Sequence, residues 1–360
     1  MKRFLHASRL LQAVLSVYVV LSLLNSGCFS APEQAPLADE IILYNWADYM
    51  PQSVLNAFTS EYGVKVKYVA YETMDEGIRN IKAGMGFDVA VVDHDLIPDL
   101  SSSGLLAELE HKNLLNFKNV SANFRDLSFD PGDRHSVPYS WGTTGLLVRT
   151  DLVSTPPAGW ADLWENDYPG KIAARPEPVE LISAALRSLN HPLNSEDPQE
   201  LEEALQRLLE IKPSLVFASS DATAVDLLLD GGAVILLGWP GDALYAQSRS
   251  QAIQYILPKE GTILWGDRFV VSAKSPNKYT AEVFLNFLLR PEIAGKIVNE
   301  NQYAIANDQA APYIDPAILG NPILYPPDLK IQKIDWYLPL SPAGQKLYDD
   351  IWARFLAENP

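Results

Sequence analysis

An α/β fold with parallel strands and crossover helices is predicted by two features of this 360-residue chain: strand and helix signals that alternate, and an unbroken apolar run at residues 87–92. A third, the roughly 320 residues that follow an N-terminal leader, is enough for two lobes rather than one core. Residues 41–45 read as the first strand. Pro51 suits a helix's first turn and opens a segment in which Val54, Phe58 and Tyr62 share a face, with Gly63 as its stop. Residues 64–68 alternate as a half-buried strand, 74–83 read as a helix stopped by Gly84 and Gly86, 87–92 as a buried strand, and 96–103 as a helix. A second alternating stretch starts near Leu146. It holds helices at 180–189 and 198–211, strands at 214–217 and 233–237, the latter running into Gly238-Trp239, and strands at 253–257, 261–264 and 269–272. A long helix at 280–289 follows, and the amphipathic segment 341–356, with Leu347, Ile351 and Phe355 on one face, is expected to pack on a lobe.

The ends of the chain and its charge bound the class. Lys2, Arg3 and Arg9 precede or enter an apolar stretch at 10–24, followed by Asn25-Ser26-Gly27-Cys28. This reads as a secretory signal over 1–27, because about 15 apolar residues fall short of the roughly 20 that span a bilayer. Cys28, the only cysteine, stands where a lipoprotein would be cleaved and acylated, although Asn25 replaces the usual aliphatic residue. Lipid anchoring at Cys28 and ordinary cleavage near Ala31 both stay open; residues 28–39 form a tether rich in Pro and Ala. The expected location is periplasmic. One cysteine excludes an internal disulfide. The formal charge is −17, and loss of the leader, with three basic residues and no acid, leaves about −20. So acidic a chain disfavours nucleic acid and anionic lipid and attracts cations, or else is simply kept soluble.

Two apolar runs end in tryptophan two residues before aspartate, as Trp46-Ala47-Asp48-Tyr49 and Trp265-Gly266-Asp267. An indole beside a carboxylate suits an organic cation, through cation–π attraction and a charge-assisted hydrogen bond. The same residues also suit a core tryptophan and an ordinary strand-ending acid. Trp160-Ala161-Asp162 repeats the spacing after a Pro/Gly turn and reads as a helix start. Ligands gather at the carboxyl ends of parallel strands, so Trp46–Tyr49 and Asp93-His94-Asp95 are expected on one rim. His94 between two acids could hold a metal or line a cleft and cap a helix. The five histidines show no His-x-x-x-His pairing, and neither a Gly-rich phosphate loop nor a Gly-x-Ser-x-Gly elbow occurs. No cofactor is implied. Glu177 and Glu180 could be paired catalytic carboxylates of a glycosidase, or Glu180 a helix-start acid.

The order of motifs resembles the bacterial spermidine/putrescine-binding proteins of ABC importers. The resemblance is carried by Tyr44-Asn45-Trp46-Ala47-Asp48-Tyr49, Val137-Pro138-Tyr139-Ser140-Trp141-Gly142-Thr143-Thr144-Gly145 and Trp160-Ala161-Asp162-Leu163-Trp164. It continues through Pro258-Lys259-Glu260-Gly261, Trp265-Gly266-Asp267 and Asn286-Phe287-Leu288-Leu289-Arg290-Pro291. It implies a type II periplasmic-binding-protein fold, two α/β lobes with a hinge and a ligand cleft between them. By that likeness one lobe covers 40–142 plus 267–311 and the other 146–262 plus 316–360. The resemblance places Trp46 and Tyr49 on the aliphatic part of the ligand, Asp48 at an acidic position, and Glu177, Glu180 and Asp267 on the amines. Trp239, Trp265 and Tyr303 become aromatic walls. It implies a monomer without catalytic activity that delivers a polyamine to an inner-membrane permease.

Departures bear on the ligand. Val92-Asp93-His94-Asp95 stands where the family commonly has Pro-Ser-x-Tyr, so Asp93 and Asp95 bring two carboxylates to the rim. Tyr337 falls at a glutamine position, and Arg268 follows Asp267, where it either neutralises that acid or points away. Polyamine ammonium groups lie about 5–7 Å apart on methylene stems, matching acids at both ends and aromatic faces between. Alternative readings are a binder of another organic cation such as agmatine or a guanidino compound, a sugar binder, or a ferric-iron binder using tyrosines and His94.

Overall fold

Strand β1 (Glu40–Trp46) sends Ile41 and Leu43 into one apolar core and Tyr44 into another, as a strand buried on both faces must. The computed structural model describes residues 35–47, 49–165, 168–326 and 334–358; the signal segment 1–27, Cys28 and Asp48 lie outside them. Helix α1 (Gln52–Tyr62) starts after Pro51 and buries Val54 and Phe58; it stops at Gly63, whose φ of 73° suits a residue without a Cβ. Strand β2 (Lys65–Tyr71), helix α2 (Met74–Lys82) and strand β3 (Val89–Asp93) follow, then a 3₁₀ turn at His94–Leu96 leading into α3 (Ile97–Ser102).

Beyond it lie β4 (Ser136–Arg149), α4 (Asp162–Glu165), β5 (Ile172–Ala174), α5 (Pro178–Ser188), α6 (Pro198–Ile211), β6 (Leu215–Phe217) and α7 (Asp221–Leu229). Strand β7 (Ile235–Gly238), α8 (Pro240–Arg249), β8 (Ile253–Ile256) and β9 (Thr262–Val271) come next, then α9 (Lys278–Leu288), α10 (Pro291–Asn301), β10 (Ala304–Ile305), α11 (Pro316–Leu319), β11 (Ile334–Trp336) and α12 (Pro342–Ala357). The fold is mixed α/β, as expected. The sheet runs β2-β1-β3-β9-β4-β7-β5-β6. Strands β2-β1-β3 are parallel, and so are β7-β5-β6. Between these sets, β9 and β4 run antiparallel to each other and to β3 and β7, while β11 adds to β9 in parallel; the first part of β4 pairs with β9, and its last residues pair with β7 and β8. One 14-residue strand thus passes from the first parallel set to the second.

Two expectations need correction. Residues 261–264 and 269–272 are not separate strands but parts of β9, so Trp265-Gly266-Asp267 lies within a strand rather than at its end. The charges at Asp267 and Arg268 interrupt the apolar run in sequence, yet both are buried with partners in the fold. Helices α7, α8 and α10 are additions to the elements expected from sequence. Helix α12 packs as expected: Tyr348, Ile351 and Phe355 are buried with α5 and α6, and Leu347 lies against the same cluster. Among the described residues, no helix is long and apolar enough to cross a membrane.

Candidate functional site

Alternate residues of a strand share a face, so the Trp-x-Asp spacing on β9 points Trp265 and Asp267 the same way. Antiparallel pairing sets Asp93, the last residue of β3, directly opposite Asp267. Cross-strand partners come within about 5.5 Å at Cα, close enough for two carboxyls to meet. Burial and the mutual repulsion of the two carboxyls favour a proton on the pair. Tyr49 donates its O–H to Asp267 Oδ2 at 2.5 Å. Asp95, in the turn after β3, lies near the Tyr337 phenol, which favours its charged form. Burial, followed by repulsion from Asp267 and Asp95, holds Asp93 well above the usual carboxylate range; Glu177 adds a smaller push. Burial also raises Asp95 and pushes Asp267 up to about 6.

A second acid is built from β4, α5 and α8. Glu180, in the first turn of α5, accepts from Thr144 Oγ1 at 2.9 Å and from Trp239 Nε1 at 2.8 Å, both on Oε1. Burial raises its pKa, and these two hydrogen bonds pull the other way. Trp239 stands at the start of α8, where Asp242 accepts its backbone N–H at 2.9 Å. The Arg175 guanidinium lies 4.0 Å from the Trp239 ring centre and forms a buried 2.8 Å ion pair with Asp242. Trp239 and Trp265 meet edge to face, their ring centres 6.3 Å apart. The Trp265 indole crosses Gly142 of β4 so closely that a Cβ there would sit 2.2 Å from the ring, which is why this strand position carries no side chain.

The structure therefore brings Tyr49, Asp93, Asp95 and Asp267 together, and separately joins Glu180, Trp239 and Trp265. Tyr303 stands edge-on to Tyr49 at 4.9 Å, and its hydroxyl closes on Gly241 of α8, 2.7 Å from where a Cβ would project. Trp46 packs on Tyr71, ring centres 4.8 Å apart, so part of its surface belongs to the core. Glu177 is exposed at the N-cap of α5, with extended backbone, three residues before Glu180. Arg268 points away from Asp267: it pairs with buried Asp133 at 2.7 Å and donates to Ser136 Oγ at 2.6 Å. His94 is buried, with Nδ1 3.1 Å from the Gly266 carbonyl and Nε2 2.5 Å from the Tyr337 carbonyl, and burial lowers its pKa. Among the described residues, no group of three or more His, Cys, Asp or Glu is placed to hold a metal ion. Sequence reasoning missed Thr144, Arg175 and Asp242. Thr144 was visible inside the 137–145 motif, whereas a buried arginine beside a cation site runs against simple charge matching.

Raised carboxyl pKa values make the fold pH-sensitive. A folded-state pKa above the unfolded value means the folded form holds more protons, so stability from that group is present at low pH and lost as pH rises. For Asp267 that window runs from 3.8 to about 6. The stability advantage of Asp93→Asn over the ligand-free wild type should therefore grow as pH rises through this window, by on the order of 1–3 kcal/mol. Thermal melts of both proteins across it check this; a constant difference would contradict it.

Residues 53–323 match the family described as bacterial extracellular solute-binding protein. The spermidine/putrescine-binding periplasmic protein of Escherichia coli K12 is 30% identical over 342 residues, covering 93% of this chain and 97% of that protein. The putrescine/agmatine-binding protein of Pseudomonas aeruginosa is 28% identical over 328 residues, covering 85% of this chain and 89% of its own. A crystal structure of a spermidine/putrescine ABC transporter substrate-binding protein from Streptococcus pneumoniae superposes with a TM-score of 0.81 at 27% identity, over 89% of this chain and 99% of that one. The resemblance read from the motifs and the periplasmic-binding-protein fold it implied are borne out by these likenesses. These relatives are transport substrate-binding proteins, not enzymes. By this match over residues 53–323 and the 30% identity across nearly its whole length, the chain belongs to the bacterial extracellular solute-binding proteins.

Proposed function

We infer that this protein is the extracytoplasmic, non-enzymatic subunit of an ABC importer, capturing putrescine- or spermidine-like polyamines for its permease. One observation carries the reading: the half-buried Asp93 on β3 and the buried Asp267 on β9, with the half-buried Glu180 on α5, are accompanied by a pair of tryptophans. Asp267 and Asp93 would take one ammonium and Glu180 another, with Trp239 and Trp265 burying methylenes at roughly 0.8 kcal/mol each. Trp46, Tyr49, Tyr303, Asp48, Asp95 and Glu177 complete the proposed wall. In this reading β4 and β9 join two lobes, about 40–142 plus 267–311 and 146–262 plus 316–360, that close on the ligand. The protein is a monomer in the periplasm, exported by the 1–27 segment and, if Cys28 is acylated, anchored to the membrane.

The relatives' names, spermidine/putrescine-binding and putrescine/agmatine-binding, support the ligand class. Against an iron reading, burial and the field of Asp267 push the Tyr49 phenol well up, the reverse of what a tyrosinate ligand needs. Against a glycosidase reading, Glu177 is exposed while Glu180 is held by Trp239 and Thr144. A thermal-shift panel of putrescine, spermidine, spermine, agmatine, ferric iron and sugars tests this, since only bound ligands raise the melting temperature by mass action. A shift with polyamines is expected, reduced in Trp265→Ala by about tenfold in affinity. A shift with agmatine alone, iron or a sugar would replace the reading.

A further inference from the structure

We propose that the Asp93–Asp267 pair is a proton-exchange site: a cationic group of the ligand enters in place of the proton these carboxyls share. This rests on the polyamine reading and adds what the empty site holds and what binding releases.

The geometry comes from the strand register. Asp93 and Asp267 are direct partners on antiparallel strands, and two acids set this close in a place that raises both pKa values repel each other less when one keeps its proton. Tyr49 adds its O–H to Asp267 at 2.5 Å, so the ligand-free cluster is held by hydrogen atoms in a place where an ammonium could supply them. The surrounding charges favour that exchange. Asp93 feels Asp267 across the strands, Asp95 two residues on and Glu177 ahead of α5. The phenols of Tyr71 from β2 and Tyr337 after β11 lie near the same acids and are pushed up first by burial and then by those acids. His94 is buried and turned to backbone carbonyls, and the Arg268 guanidinium is spent on Asp133. Among the described residues around this pair, no cation balances it, so the empty site lowers its charge by keeping a proton. When an alkylammonium arrives, its N–H groups donate to both carboxylates and the O–H proton leaves to the buffer. No other bond changes.

The assignment makes Asp93 a determinant of how binding depends on pH. Each proton displaced steepens the dependence, to at most tenfold in affinity per pH unit, with binding tighter as pH rises and level once the empty pair is already ionised. The window includes about pH 6, the value to which Asp267 is pushed.

Titration calorimetry of the purified protein with putrescine and with spermidine, near pH 6 in buffers of different ionisation enthalpy, reads the protons released directly. Between about a half and one proton per bound ligand is expected, falling as pH is raised. Asp93→Asn keeps a donor toward Asp267 but has no proton to lose; it should bind more weakly with release close to zero, and Asp93→Ser should behave the same way. Tight polyamine binding by the wild type with no proton release would overturn the exchange and leave the proposed function standing. Full release retained in both variants would overturn the assignment to this pair. Absence of any polyamine binding would overturn the proposed function, and the exchange with it.

Discussion

Asp267→Asn should weaken polyamine binding by tenfold or more, at least about 1.4 kcal/mol, while making the ligand-free protein more stable. The substitution is isosteric and keeps an oxygen for the Tyr49 hydroxyl, so packing at the site is retained. What it removes is the charge. Truncating one member of a buried, hydrogen-bonded charge pair costs about 2–5 kcal/mol of binding, and the ammonium group would face Asp93 alone. Stability moves the other way because burial and neighbouring acids make ionised Asp267 costly without ligand, as its pKa near 6 records. Calorimetry gives the first effect and thermal melting near neutral pH the second. Unchanged affinity would remove Asp267 from the site; a large loss of stability would make it a structural residue instead.

Arg268→Ala, one residue along the same strand, should do the opposite. Its guanidinium is on the far side of β9, in a buried pair with Asp133 and with hydrogen bonds to Ser136 and the Phe124 carbonyl. Removing it leaves Asp133 charged and buried without its partner, a class of change that costs about 3–5 kcal/mol. Burial already raises the Asp133 pKa even with Arg268 present, so the loss should be largest at high pH and shrink as pH falls and the acid takes up a proton. Denaturant unfolding should show that destabilisation, whereas polyamine affinity of the folded fraction should stay within about twofold of wild type, a change of roughly 0.4 kcal/mol. A stable variant with altered affinity would mean that Arg268 neutralises Asp267 after all.

This pair of neighbours shows where sequence was informative and where it stopped. Trp265 and Asp267 could be picked out because an indole beside a carboxylate is a chemical signature that does not need the fold, whereas Trp239 followed only from the family resemblance. The direction of Arg268 could not, because facing follows from period two only when the strand is known to run unbroken, and the charged step at 267–268 divided β9 into two expected strands. The α/β alternation was legible at β1, α1, β2 and α2, where glycine stops and buried periodicity agree. It was not legible at β4, whose residues 136–148 are buried on both faces and show no alternation to read. Asp93 and Asp95 were noticed as departures from a family pattern. That Asp93 stands directly opposite Asp267 depends on strand register, which local sequence does not encode.

The most direct test of the polyamine reading is titration calorimetry of the purified protein with putrescine, spermidine, spermine and agmatine at low and high salt. A single saturable site for putrescine or spermidine is expected, with affinity that falls as salt rises but is not abolished, because buried charge pairs are screened less than exposed ones. No heat and no saturation with any of the four cations, at either salt concentration, would contradict it.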